Sequence, residues 1–167
     1  FSNINAAGGI MGYAGGALTC SQCVNNGSVS GYGKTYALGG IAGTVIRGII
    51  EDCVNRGTVY SESTSDCAQL AGIANVGTNR LMVATIRNSY NTGAVTKGTE
   101  FRSGYYGGAV GYGSASTNVF QNVYCTSEAA AGIGGKAGIT GHIVSESDLK
   151  NLKVPLGDNF VPDINNI

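Results

Sequence analysis

The chain has 167 residues, with 28 glycines, two prolines, no tryptophan, ten basic and ten acidic side chains, and 43% hydrophobic residues. Balanced charge leaves no electrostatic footprint for nucleic acid or an anionic membrane, and so high a hydrophobic share does not suit a disordered chain. The length allows one domain with a continuous core, and no apolar run is long enough to insert in a membrane as a helix.

No basic, apolar leader opens the chain, and Phe1 to Ala7 reads like the middle of a repeat, so the expectation is a piece of a longer protein. Two blocks then alternate. The first is Gly8-Gly9-Ile10-Met11-Gly12, returning as Gly39-Gly40-Ile41-Ala42-Gly43, Ala71-Gly72-Ile73-Ala74-Asn75 and Gly107-Gly108-Ala109-Val110-Gly111. The second is Cys23-Val24-Asn25-Asn26-Gly27-Ser28-Val29, returning as Cys53 to Val59 and Ser89 to Val95, with Val123-Tyr124-Cys125 beginning a fourth copy. The period is about 31 residues at first and longer later, where Ser63–Gln69 and Thr78–Ala84 enlarge the third copy.

Each block is short, apolar and bounded by turn residues, which predicts strands; glycine recurs too often for helix. The expected fold is all-β, a parallel β-helix of about four coils over residues 1–144, with approximate coils 1–31, 32–62, 63–101 and 102–144. Stacking one unit per coil places equivalent residues about 4.8 Å apart. The expected inward ladders are Ile10/Ile41/Ile73/Ala109 and Val29/Val59/Val95, and Asn25/Asn55/Asn91 is expected to form an asparagine ladder at a turn. Cys23, Cys53 and Ser89 share one position, and Tyr90 and Tyr124 another.

Ala129–Thr140 reads as a last partial coil. Residues 145–167 are expected to cap the stack, as a short helix with Ser145 or Ser147 as N-cap and an extended tail lying over the final coil.

The two blocks resemble the GLUG-motif repeats of large bacterial surface and adhesin-like proteins, found also in some immunoglobulin A peptidases. Gly39 to Gly43 with Cys53 to Val59 carry the resemblance most fully, and the tail from Leu156 to Phe160 and Asp163 to Ile167 looks like the segment that closes such arrays. The resemblance implies a right-handed β-helix, an extracellular, secreted or wall-attached protein, and a place in a multidomain chain. It brings no catalytic residues.

The residues themselves point to no enzyme and no cofactor. Zinc at Cys20, Cys23, Cys53 and Cys67 would want a second close pair or a nearby histidine, and a redox dithiol would want a helix N-terminus. The expectation is therefore no metal; a disulfide between Cys23 and Cys53 stays open. His142, the one histidine, lies far in sequence from every cysteine of the first copies. A polysaccharide-cleaving β-helix would align carboxylates on one face, whereas adjacent Glu51 and Asp52 point opposite ways on a strand.

The expected role is a structural or spacer module whose partners are neighbouring domains of the same chain. The first alternative is recognition of a host protein or glycan through Tyr60, Phe101, Tyr105, Tyr106 and Tyr112, in the connections and strands of copies two to four, and the second is a polysaccharide-active β-helix enzyme. The inserts flanking copy three are the other place where a rigid scaffold would carry function.

Overall fold

The computed structural model describes residues 5–77, 83–102, 104–113, 118–126, 132, 134 and 142–160, and every strand pairing in it is parallel. The chain winds as a β-solenoid of about three turns, with Gly104–Gly107 and Val119–Cys125 carrying it into a fourth. One face stacks Ala6–Gly8, Ala37–Gly39, Ala68–Ala71 and Gly104–Gly107; the next stacks Met11–Ala14, Ala42–Val45 and Ala74–Val76. The third holds Thr19–Ser21, Gly48–Glu51, Ala84–Asn91, Val119–Cys125 and His142–Ile143, extended past a corner by Val24–Asn25 and Val54–Asn55. The fourth holds Val29–Gly33, Val59–Ser63 and Val95–Lys97.

The register follows the repeat. Val29, Val59 and Val95 are paired in line and buried. Ile41, Ile73 and Ala109 are fully buried in the larger core, and Ile50 and Ile86 add a further pair on the third face. Burying each such isoleucine contributes about 1.5–3 kcal/mol. Ile10, expected to head its ladder inside, is instead 46% exposed. It belongs to the terminal coil, where described chain stacks on one side only.

The asparagine ladder runs through the core. Asn25 Nδ2 donates to Asn55 Oδ1 at 2.7 Å, Asn55 Nδ2 donates to Asn91 Oδ1 at 2.6 Å, and Asn91 Nδ2 ends the line on the Gly108 carbonyl at 2.7 Å. Each side chain also closes its own Asn-X-Gly turn, as where the Gly93 N–H reaches Asn91 Oδ1 and Asn91 Nδ2 reaches the Gly93 carbonyl. The Gly-Gly pair serves the same contact. A Cβ on Gly40 would lie 2.2 Å from Asn55 Cγ and 2.1 Å from the Gly72 carbonyl oxygen, so this position admits only glycine.

A second corner column was not anticipated. Gln22, Asp52, Asn88 and Asn122 all hold positive φ, between 47° and 55°, one residue before each second block. The next residue then donates back across the corner: Cys23 Sγ to the Ser21 carbonyl, Cys53 Sγ to the Glu51 carbonyl and Ser89 Oγ to the Arg87 carbonyl. Cysteine and serine are thus interchangeable here as small donors, which accounts for the shared position.

Copy three departs from the repeat at Asn75, where the register slips by one residue opposite Gly43. Asn75 Nδ2 occupies the space between coils by donating to the Leu38 and Gly43 carbonyls, both at 2.9 Å. The coil therefore continues with one bulge.

The C-terminal segment corrects one expectation. Ser145 caps the helix Glu146–Lys150, its hydroxyl accepting the Asp148 N–H. The chain beyond it runs down the side of the stack. Leu149 and Leu156 bury against Tyr124, the Phe160 ring meets Tyr90 at 5.5 Å, and Asn159 Nδ2 reaches Asp52 Oδ2 in the second coil at 2.6 Å. The outward aromatic ladder Tyr90/Tyr124 gives this strap its apolar track. Burial there pushes the Tyr124 hydroxyl above its ordinary pKa. Residues 161–167, most of Ala129–Thr140 and residues 78–82 of the third-copy insert lie outside the described residues.

Candidate functional site

The five aromatic candidates divide into three groups. Tyr60 projects from the outer side of Val59–Ser63 beside Tyr32 of the coil before, ring centroids 6.1 Å apart, and donates its hydroxyl hydrogen to Glu62 Oε1. That bond to an acid holds the Tyr60 pKa up at about 12. Tyr106 takes the inward position after Leu38 and Leu70, where it packs on the smaller core cluster. Lys97 Nζ lies 4.0 Å from its ring centroid and 5.8 Å from that of Phe101. Lys97 thus bridges the two rings, Tyr106 half-buried on the smaller core cluster and Phe101 half-buried beside it.

Tyr105 and Tyr112 form the third group. The strand alternation that turns Tyr106 inward turns Tyr105 outward, where it is 43% exposed and meets Tyr112 at 4.5 Å between ring centroids. Of the expected residues, this is the one pair whose two rings meet each other. The Ser63–Gln69 insert is mostly a corner: Ser63 and Ser65 are buried and bonded in series, with Asp66 and Cys67 exposed at its tip.

Two further features stand out, the first of them unforeseen. An open groove of about 350 Å³ lies on the outside of the third face, lined by Leu18, Arg47, Ile49, Val83 and Thr85 among others. Its apolar rim residues are scattered through the sequence, so no motif announces it. The other is a thiol cluster: Cys20, Cys23 and Cys53 bring their sulfurs within 4.8 Å of one another, and Cys20 Sγ and Cys53 Sγ are 4.0 Å apart. Cys67 stands exposed on a different corner, so the four-cysteine set is not assembled. Cys20 and Cys53 make a thiol–thiol contact, and no disulfide joins the described cysteines. Hydrogen bonding between the two thiols makes Cys53 the more acidic, with its pKa drawn down, while the same bond together with burial pushes Cys20 up. The cluster was legible in part, since Cys23 and Cys53 share a repeat position; Cys20 joins them because it fills the inward strand position that Ile50 fills one coil later.

His142 pairs in backbone register with Tyr124 on the third face. No family model, curated protein or solved structure matches the chain.

Proposed function

We propose that the chain is a non-catalytic structural module: a stack of GLUG-like coils that spaces or presents neighbouring domains of a secreted or wall-attached bacterial protein. The observation that carries this reading is the Asn25–Asn55–Asn91 ladder. The side chains that recur from copy to copy are spent on joining coils. Four of the carboxylates lend support, because they pair with neighbouring side chains: Glu51 with Arg87, Glu62 with Tyr60, Glu146 with Lys150 and Asp148 with Lys153. A uronate-cleaving groove would instead gather them around one substrate.

The Tyr105–Tyr112 pair, with Tyr105 exposed and Tyr112 half-buried, favours a second reading, recognition of a host protein or glycan by stacking. A glycan-array and host-protein binding screen on this chain separates the two. Failure to find a specific ligand supports the spacer. Specific binding that disappears in the Tyr105→Ala, Tyr112→Ala double variant would replace the spacer with a recognition module. Turnover of a uronate polymer would displace both.

A further inference from the structure

The first corner of the third face carries more sulfur than the fold requires. Cys20 pairs in register with Ile50, which is paired in turn with Ile86, so an aliphatic side chain satisfies that inward position in later coils. The corner position of Cys23 and Cys53 is satisfied at the next coil by Ser89, whose hydroxyl makes the same bond to the carbonyl two residues back. Three thiols meet only where all three positions hold cysteine together.

We propose that Cys20, Cys23 and Cys53 form a three-thiolate site for a soft univalent metal ion, Cu(I). Metal–sulfur bonds of about 2.3 Å place the sulfurs of a trigonal site about 4.0 Å apart. Cys20 and Cys53 stand at that separation already, and every pair lies within 4.8 Å. Cys23 therefore closes the triangle by moving less than about 1 Å, a small torsional adjustment within its rotamer well. Two of the sulfurs are buried, while Cys23 is only partly buried and gives the ion a way in.

The donor set selects the ion. Among the described residues no histidine, carboxylate or fourth cysteine completes the group. Zinc in a structural site takes four ligands, and calcium and magnesium take oxygen. An all-sulfur, three-donor set suits a soft ion that accepts three-coordination. On binding, the thiols release protons to solvent and the ion enters already reduced, so no electron is transferred.

The test is titration of the whole chain, reduced and free of oxygen, with Cu(I) against a competing chelator. One ion per chain is expected, with X-ray absorption showing three sulfurs at about 2.3 Å. Cys20→Ile and Cys53→Ser copy the residues that later coils use, and Cys23→Ser changes a partly exposed side chain, so all three variants keep the coil. Each is expected to weaken binding by more than about 100-fold, above the usual effect of losing an outer-shell partner. Cys67→Ser is expected to bind as the parent does. Retention of binding in Cys23→Ser or Cys20→Ile would overturn the site, as would its loss in Cys67→Ser. Tighter binding of Zn(II) than Cu(I), or nitrogen or oxygen in the metal's first shell, would overturn the assignment of the ion.

Discussion

Asn55 gives its side-chain amide to Asn91 Oδ1 and to the Gly57 carbonyl while its own Oδ1 accepts from Asn25, all without exposure to water. Removing it orphans groups on both adjacent coils, and a buried group left unpaired costs about 1–3 kcal/mol. Asn55→Ala is expected to destabilise the protein by about 2–3 kcal/mol, and Asn25→Ala, at the end of the ladder, by about 1 kcal/mol. Urea unfolding midpoints would show the difference; equal losses at the two positions would count against a continuous ladder.

Gly40→Ala places a methyl against Asn55 and the Gly72 carbonyl, neither of which has room to retreat. The expected loss is about 3 kcal/mol, in the range of strong overpacking. Gly16→Ala, with nothing within 4 Å of the added carbon, is expected to stay within about 0.5 kcal/mol of the parent. Thermal unfolding of the two variants side by side checks the contrast.

Leu156→Ala tests the lateral strap. Leu156 buries with Tyr124 and Leu149, and truncating such a side chain costs about 2–5 kcal/mol. The local result is the sharper one: amide exchange should accelerate along Val119–Cys125 and leave Val59–Ser63 unchanged. Uniform acceleration would mean that the strap is not a separable cover.

Tyr60 provides a pH test. Its pKa is raised from 10.0 to about 12, chiefly by the hydrogen bond to Glu62, so the folded state keeps the proton after the unfolded state has lost it. This contribution is complete below the unfolded pKa and is lost as pH rises through the folded one. Ultraviolet titration should find Tyr60 ionising late, alongside Tyr124 that burial also raises, and Glu62→Gln should bring the Tyr60 share of that late phase back toward 10. A late phase unchanged in that variant would place the cause elsewhere.

The ladders were readable because each residue of a stacked coil meets its own repeat mate, so sequence periodicity and spatial contact coincide. Val29/Val59/Val95 and Asn25/Asn55/Asn91 followed directly. Ile10 did not, since in the first described coil it has a described neighbour on one side only, whereas Ile41 has one on each. The positive-φ column at Gln22, Asp52, Asn88 and Asn122 could have been suspected from the Asp and Asn before three of the second blocks, residues that tolerate that conformation. The strap was not legible, because its contacts with Asp52 and Tyr90 are not repeated and join residues far apart in the chain. Among the candidate aromatics, strand alternation divided Tyr105 from Tyr106, a distinction that depends on a register set by Leu38 and Leu70.

The one-way direction of the amide ladder bears on how such a chain can grow. Asn55 takes a hydrogen from the coil before it and hands one to the coil after it, so the rungs are links in a polarised chain. A duplicated unit spliced between two rungs would meet a giver on one side and a taker on the other. Gene duplication could therefore lengthen this scaffold by whole turns only by disturbing an unrepeated contact: a turn added between Asn25 and Asn55 would part Cys20 and Cys23 from Cys53, and one added between Asn55 and Asn91 would carry Asp52 away from Asn159.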